Sequence, residues 1–206
     1  MSATALLLAT RSAGKLREIK PVFAAAGLSL VALDDLGIDE SEEEAELESF
    51  PTFEGNARAK ARYFFEVSGG IPTVADDSGL EVDVLGGRPG VLSKRWSGRT
   101  DLRGPELDAA NNATLLAALD GHDRPAARYV CAAAFVAVGR DIVTRGETAG
   151  HIVPTPRGTG GFGYDPYFLS SELGRTFGES SLLEKQRVSH RGRAFRGLLS
   201  AIVAGR

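Results

Sequence analysis

Short apolar runs alternate with helix-like patterns along the first part of the chain. The runs are short enough for buried strands, and the segments between them repeat apolar side chains every three to four residues. Strands are predicted at Ala5–Ala9, Leu28–Leu33 and Pro72–Ala75, and helices at Lys15–Ala26 and Phe53–Val67. Strands that alternate with helices are typical of an α/β fold.

The second half of the chain predicts a β-hairpin between two helices. One helix covers Leu107–Leu119, and a terminal helix covers Arg191–Ala204. Strands at Arg128–Val138 and Ile142–Val153 are separated by a turn that begins at Gly139. A hairpin beside strands that need helical crossovers indicates a mixed sheet. We therefore expect an α/β protein with a central mixed β-sheet flanked by helices.

The segments between these elements are predicted as loops. The acidic stretch after Leu33 is expected to be an exposed loop, and the Gly-rich segments Leu85–Thr100 and Thr155–Gly163 are expected to be turns. A further strand is predicted at Tyr164–Leu169, and the third strand is expected to end in a turn over Asp76–Gly79.

Composition excludes several classes of protein. The chain has 206 residues, of which 43% are hydrophobic and 25% charged, which suits one globular domain and excludes a disordered or fibrous chain. No apolar run approaches the roughly 20 residues of a membrane-spanning helix, and no basic stretch precedes the first apolar run as in a signal peptide. Cys131 is the single cysteine, which excludes an intramolecular disulfide. We expect a cytoplasmic protein without a membrane partner.

The net charge of −3 conceals an uneven distribution. Ten acidic residues and no Lys or Arg lie from Asp34 to Glu54, whereas six basic residues and no acidic one lie from Lys185 to Arg206. Such a basic terminus is either a solvated helix face or part of a site for a small polyanion.

Three loops at predicted strand ends, and the start of the last helix, carry the candidate chemistry. The loop Thr10–Lys15 joins a strand to a helix, so its backbone N–H groups, the helix N-terminus and Lys15 suit a phosphate, although an ordinary βα turn has the same pattern. Asp76 and Asp77 follow a buried strand and point to opposite sides, which suits either a Mg²⁺ site or a solvated turn.

The other two segments carry aromatic and cationic residues. Aromatic residues and a carboxylate in Phe162–Asp165 suit a planar base, or else form a core cluster. Lys185 and the segment Ser189–Arg193 offer cations at a helix start, which suit an anionic substrate or a base carbonyl.

Five motifs in one order give these loops a family resemblance. They are Thr10-x-x-x-Gly14-Lys15, Thr52-Phe53-x-x-Asn56-Ala57-x-x-Lys60-Ala61, Ala75-Asp76-Asp77-Ser78-Gly79-Leu80, Gly161-Phe162-Gly163-Tyr164-Asp165-Pro166 and Ser189-His190-Arg191-Gly192. The chain resembles the inosine-triphosphate pyrophosphatase family of RdgB-like enzymes over nearly its whole length. The resemblance implies one elongated domain over residues 1–206, with two lobes and an active-site cleft between them, and a homodimer.

The same resemblance implies an activity and assigns residues to it. The expected reaction is the Mg²⁺-dependent hydrolysis of inosine, xanthosine and deoxyinosine triphosphates to the monophosphate and pyrophosphate. Asp77 would be the general base and a Mg²⁺ ligand, and Ser78 would contact the nucleotide. The triphosphate would be held by Thr10, Arg11, Ser12, Ala13, Gly14, Lys15 and Lys60. The base and its sugar-phosphate would be framed by Phe162, Gly163, Tyr164, Asp165, Lys185, His190 and Arg191.

Two positions depart from the family pattern. Ser12 stands where the family often has Asn, and Gly55 stands where it usually has a metal-binding Glu. Glu54 lies one residue earlier, which on a helix is about 100° of rotation. Either Glu54 reaches the site because the helix begins later, or the metal depends on Asp77, Asp76 and substrate phosphate.

Three other functions compete with this hypothesis. A related pyrophosphatase acting on modified pyrimidine or ordinary nucleotides would share the phosphate site, and Gly55 permits an inactive relative. A nucleic-acid-binding module would use the basic terminus, but that terminus coincides with the carboxylate and Gly-loop motifs and lacks a repeated stacking platform. We therefore expect an enzyme with a nucleotide substrate and no nucleic-acid partner.

Overall fold

The computed structural model describes residues 5–204 and, within them, arranges six strands in one sheet. The strands are β1 (Leu6–Leu8), β2 (Leu30–Ala32), β3 (Thr73–Val82), β4 (Ala126–Ala137), β5 (Arg140–Ile152) and β6 (Phe168–Ser170), in the order β2-β1-β3-β4-β5-β6. Strand β1 pairs in parallel with β2 and β3, whereas β5 and β6 are antiparallel. The sheet is mixed, which confirms the predicted fold class.

Helices flank this sheet, and three of them begin with a side-chain cap. The helices are α1 (Ala13–Ala24), α2 (Phe53–Val67), α3 (Gly104–Ala118), α4 (Leu182–Val188) and α5 (His190–Ala204). Helix α1 begins two residues before the prediction because the Ser12 hydroxyl accepts a hydrogen bond from the Lys15 N–H. Helix α2 has the predicted bounds, and Thr52 caps it through the N–H of Gly55.

Strand β3 differs most from the prediction. The expected turn over Asp76–Gly79 was wrong, because the strand continues from Thr73 to Val82 and keeps both aspartates inside the sheet. Adjacent carboxylates usually indicate a solvated turn. Here their side chains are buried against cations and an amide, so the backbone does not have to leave the sheet.

Smaller differences concern short elements. The acidic stretch forms two 3₁₀ turns, Asp34–Leu36 and Glu42–Glu46, rather than an open loop. The last predicted strand is reduced to β6 because the residues from Tyr164 to Tyr167 form a turn. Helix α4 was not predicted, and a capping box between Ser181 and Glu184 starts it.

The described chain divides into two compact units. The first takes the chain up to Asp77, Cys131–Gly146, and the chain from His190 onward. Its core is built mainly from β1, α1 and α5, and the rings of Phe23 and Phe195 meet edge to face at 5.9 Å between centroids.

The second unit comprises Ser78–Val130 and Glu147–Ser189. Its core gathers aromatic side chains, with the ring of Phe168 4.6 Å from that of Tyr129 and 5.1 Å from that of Phe177. The cleft expected between two lobes of one domain stays a prediction. In residues 5–204, no helix has the length and apolar character that crossing a membrane requires.

Candidate active site

Asp76 is a buried carboxylate held by cations. Its Oδ2 lies 3.1 Å from Lys15 Nζ and 3.2 Å from Arg191 Nε, and the residue is 1% exposed. Its backbone carbonyl also accepts a hydrogen bond from Lys60 Nζ at 3.1 Å. Burial alone would raise the pKa of Asp76, but the charges of Lys15, Arg191 and Lys60 outweigh it and lower the pKa below its ordinary value. The surrounding cations therefore favour the anionic form of Asp76, which in turn holds Lys15 and Arg191 beside it.

Arg191 connects Asp76 to a second buried carboxylate. Its Nη1 donates to Glu18 Oε2 at 2.5 Å while its Nε donates to Asp76, and all three side chains are buried. Burial lowers the pKa of Arg191, but the Glu18 and Asp76 carboxylates outweigh it and raise the pKa above its ordinary value. The sequence suggested that this guanidinium donates to the base. The structure instead directs it at Glu18 and Asp76, which favours a positioning role.

Asp77 occupies a different environment from its neighbour. Its Oδ2 accepts a hydrogen bond from Asn56 Nδ2 at 2.8 Å, and Asn56 Oδ1 accepts the Phe50 N–H, which orients the amide. Burial raises the pKa of Asp77, and Glu48 raises it further, against the opposing charges of Lys15 and Lys60. Two adjacent carboxylates whose pKa values move in opposite directions are typical of a site that divides proton transfer from charge balance.

Glu48 is a candidate site residue that the sequence analysis did not identify. Its Oε1 lies 2.5 Å from Lys60 Nζ, because the acidic segment folds back onto α2. The same segment is fastened to α2 by Tyr63, whose hydroxyl hydrogen-bonds Ser41 and Glu43. In the sequence, Glu48 is one of many acidic residues, and no motif distinguishes it.

Glu54, the candidate replacement for the missing metal ligand, is paired with an arginine. Its Oε1 accepts a hydrogen bond from Arg145 Nη1 at 2.8 Å, and more than a third of each side chain is exposed. Burial would raise the pKa of Glu54, but the hydrogen bond from Arg145 outweighs it and lowers the pKa. A Cβ at Gly55 would lie 2.9 Å from that of Phe50, so this position is tightly packed.

The loop Thr10–Lys15 divides its side chains between structural and candidate binding roles. The hydroxyl of buried Thr10 accepts the Ser12 N–H, and Ser12 caps α1, whose first turn contains Ala13 and Gly14. Lys15 reaches Asp76, as described above. Arg11 points elsewhere, since its guanidinium donates to the Glu44 carboxylate and to the Ile38 carbonyl.

The second unit holds the segment Phe162–Asp165, which we call the aromatic loop, and a buried ion pair. Lys185 Nζ lies 2.5 Å from Asp165 Oδ2, and both side chains are less than 5% exposed. The Phe162 N–H donates to the same carboxylate oxygen at 2.8 Å, and Lys185 Nζ lies 5.2 Å from the centroid of the Phe162 ring. Tyr164 is buried and donates to the Ser93 carbonyl at 2.7 Å, so its hydroxyl has a structural partner.

Two further predicted residues, Ser78 and His190, lie in β3 and at the start of α5. Ser78 follows Asp77 in β3 and is half-buried, and His190 is buried at the start of α5. Gly146 allows the first turn of α5 to approach β5, because a Cβ there would collide with the His190 carbonyl. The roles assigned to Ser78 and His190 stay predictions.

The structure thus brings the predicted residues together in two clusters, one in each unit. Lys15, Lys60, Asp77 and Arg191 surround Asp76 in the first unit. Gly163, with a left-handed φ of 63°, links Phe162 to the rest of the aromatic loop in the second. The first cluster offers cations and a carboxylate of raised pKa, and the second offers an aromatic ring and an ion pair.

Known proteins resemble the chain in sequence and in structure. The model of the Ham1 family matches residues 6–201. A dITP/XTP pyrophosphatase from Frankia alni is 49% identical over 202 residues, which cover 96% of this chain and 96% of that protein. The structure of a HAM1 protein from Coxiella burnetii superimposes with a TM-score of 0.80 at 31% identity, covering 97% of this chain and 98% of that one. The crystal structure of a nucleoside-triphosphatase, dITP/XTP pyrophosphatase, from Mycobacterium abscessus has a TM-score of 0.68 at 41% identity, covering 95% and 98%.

Proposed function

The chain belongs to the Ham1 family, and from that membership we propose that it hydrolyses triphosphates of deaminated purine nucleosides to the monophosphate and pyrophosphate. The proposed substrates are inosine, deoxyinosine and xanthosine triphosphates. The family membership also confirms the resemblance that the sequence motifs predicted. One observation supports the activity above all, which is the pair of adjacent buried carboxylates, with Asp76 held by Lys15 and Arg191 and Asp77 held by Asn56.

Hydrolysis of a triphosphate requires that its charge be offset before water can attack. Lys15 and Lys60 are the cations that the Asp76 carboxylate and carbonyl hold in place, and they would bind the phosphate chain. Asp77 would orient the attacking water and accept its proton, because burial raises its pKa toward that of a working base. Water then forms the new P–O bond, the bridge between the α- and β-phosphates breaks, and pyrophosphate leaves with the bonding electron pair.

Mg²⁺ is the cofactor that this donor set fits. Asp77 is buried near Glu48, and Glu48 lies on Lys60, so two carboxylates lie among the phosphate-binding cations. Within residues 5–204, no three His, Cys, Asp or Glu side chains gather into a closed metal site. Mg²⁺ suits an open one, since it takes one or two carboxylates and completes its shell with waters and substrate phosphates. When bound, it would offset phosphate charge and lower the pKa of a bound water.

The aromatic loop is the proposed site for the base. Phe162 offers a ring for a planar heterocycle, and the buried pair of Lys185 and Asp165 offers a donor and an acceptor beside it. Inosine and xanthosine carry a C6 carbonyl where adenosine carries an amino group, so a donor at this edge would favour the deaminated bases. A site built to hydrogen-bond its substrate can reject a mismatched analogue by about 10⁴–10⁵.

Product analysis with purified protein, Mg²⁺ and single nucleotides tests the proposal. Inosine triphosphate is expected to yield pyrophosphate, with a kcat/KM at least roughly 10²-fold above that of adenosine triphosphate. Orthophosphate as the product would overturn the proposed reaction, and equal kcat/KM values would overturn the proposed substrate class. Tight binding of single-stranded nucleic acid without turnover would favour the nucleic-acid-binding module instead.

We also propose a homodimer in the cytoplasm, as the resemblance to inosine-triphosphate pyrophosphatases implies. Cys131, the single cysteine of the chain, is buried and free, which is compatible with a reducing compartment. Light scattering during gel filtration tests the assembly, with twice the mass of the chain as the expected result and a monomer as the contradicting one.

A further inference from the structure

One face of helix α3 holds both backbone polar groups of Gly163. The Gly163 N–H donates to Asp108 Oδ2 at 2.8 Å, and its carbonyl accepts a hydrogen bond from Asn112 Nδ2 at 3.0 Å. Asp108 and Asn112 lie four residues apart, so they are neighbours on one side of the helix. We call these two side chains and their two hydrogen bonds the Gly163 clamp.

The clamp acts at the point where the aromatic loop is least constrained by its own sequence. Gly163 has a φ of 63°, a left-handed conformation that glycine adopts readily. Because glycine has no side chain, many other backbone conformations are also open to it. Its neighbours are fixed from other directions, since Phe162 donates to Asp165, and Tyr164 donates to Ser93. Loss of the clamp would therefore allow the backbone of Gly163 to rotate. Because Phe162 is the preceding residue, its ring would then be held less firmly.

The unbalanced hydrogen bonding of Asn112 supports a positioning role. The residue is 8% exposed, and its Oδ1 is buried with no hydrogen-bond partner within the described residues. A buried acceptor without a partner lowers stability, so the amide is a poor choice for packing alone. Its contribution is the donor that it directs at the Gly163 carbonyl.

We propose that Asp108 and Asn112 are positioning residues for base selection, acting through Gly163 on the ring of Phe162. The inference rests on the proposed function, because it takes the aromatic loop as the base site. The hydrogen bonds of the clamp end on that loop, whereas the phosphate-binding lysines lie on α1 and α2. Loss of the clamp should therefore weaken recognition of the base and leave the handling of the phosphate chain unchanged.

Asn111 provides a matched control on the same helix. It is also buried, and it accepts the Ser97 N–H at 2.8 Å and donates to the Lys94 carbonyl at 2.9 Å. Asn111→Ala thus removes two comparable hydrogen bonds from a different loop. Asp108→Asn supplies the conservative variant, since its amide oxygen still accepts the Gly163 N–H, whereas Asp108→Leu removes the acceptor at similar size.

The experiment measures kcat and KM of each variant for inosine and adenosine triphosphates. Asn112→Ala and Asp108→Leu are expected to lower the ratio of kcat/KM for inosine triphosphate to kcat/KM for adenosine triphosphate at least tenfold. The loss should come from a higher KM for inosine triphosphate, and the constants for adenosine triphosphate should change little. Asp108→Asn and Asn111→Ala are expected to keep the ratio within about threefold of the wild-type value. Thermal unfolding shows whether each variant is folded at the assay temperature.

The outcomes separate this inference from the proposed function. A wild-type protein with no preference for inosine triphosphate overturns the proposed function, and the inference with it. A wild-type protein that has the preference, together with clamp variants that retain it, overturns only the inference. If Asn111→Ala lowers the ratio of kcat/KM values for inosine and adenosine triphosphates as much as the clamp variants do, the inference is also overturned. The effect would then result from any loss of stability in α3 and not from the clamp.

Discussion

Replacing Arg191 with methionine tests the buried charge cluster that holds Asp76. The substitution removes the guanidinium from between Asp76 Oδ2, at 3.2 Å, and Glu18 Oε2, at 2.5 Å, while keeping a long apolar side chain. Arg191 is 3% exposed, Glu18 6% and Asp76 1%, so both carboxylates lose a cation in a setting that water barely reaches. Removal of one partner from a buried ion pair typically costs about 3–5 kcal/mol. For a chain of this size, that corresponds to a fall in Tm of roughly 6–20 °C.

Thermal and denaturant unfolding measure the effect, and two further variants make it specific. Arg196→Met alters an exposed arginine of the same helix and should change stability by no more than about 0.5 kcal/mol. Glu18→Gln in the Arg191→Met background removes one of the two buried carboxylates that have lost Arg191. The double variant should therefore be more stable than Arg191→Met alone. Unchanged stability of Arg191→Met, or no recovery in the double variant, would refute the role assigned to the cluster.

Enzyme kinetics separate the two roles suggested for Arg191. If the guanidinium positions Asp76, Arg191→Met should lower kcat/KM for inosine and adenosine triphosphates by the same factor. If it contacts the base, as the sequence suggested, the loss should fall mainly on inosine triphosphate. The two carboxylate partners of Arg191 favour the first outcome, and a selective loss would contradict it.

Three further predictions concern the first cluster. Asp77→Asn should lower kcat by about 10²–10⁴, yet raise Tm at pH 7.5. A carboxyl whose folded pKa is raised loses stability as pH rises through that pKa, and the amide avoids this loss, so a lower Tm would contradict the assignment. Lys60→Ala should raise the KM for inosine triphosphate about 10- to 100-fold through loss of a charge-assisted phosphate contact, whereas Lys20→Ala, at an exposed lysine, should not. Glu48→Gln should raise the Mg²⁺ concentration for half-maximal activity several-fold, and Glu54→Gln should leave the Mg²⁺ titration unchanged because Glu54 is bound to Arg145.

Local patterns predicted most of the fold. Helix α2 has its predicted bounds because a cap, a buried stripe and a glycine pair all indicate the same segment. The hairpin of β4 and β5 was also found, since both segments are long, β4 is largely apolar, and Gly139 turns the chain between them. Helix α4 was missed because its seven residues are too few to show a helical period.

Only those site residues that belong to a family motif could be predicted from the sequence. The sequence predicted Lys15, Lys60 and Asp77 as site residues because the family pattern contains them, and the structure places all three in the first cluster. The sequence did not identify Glu48, whose contact with Lys60 depends on how the acidic segment folds back. The base-binding role predicted for Arg191 stays a prediction, and the motif did not indicate the contacts of its guanidinium with Glu18 and Asp76. Long-range ion pairs are decided by packing, which local sequence does not contain.

The continuity of β3 through Asp76 and Asp77 limits how this segment can change in evolution. Successive side chains along a strand point to opposite faces of the sheet. Asp76 therefore meets Lys15 and Arg191 on one face, and Asp77 meets Asn56 on the other, only as long as the number of residues before them in β3 is kept. Loss or gain of one residue between Thr73 and Asp76 would exchange the two environments and leave the composition almost unchanged. A substitution in this stretch keeps the alternation of side chains, whereas a one-codon insertion or deletion would turn Asp77 toward Lys15 and Arg191.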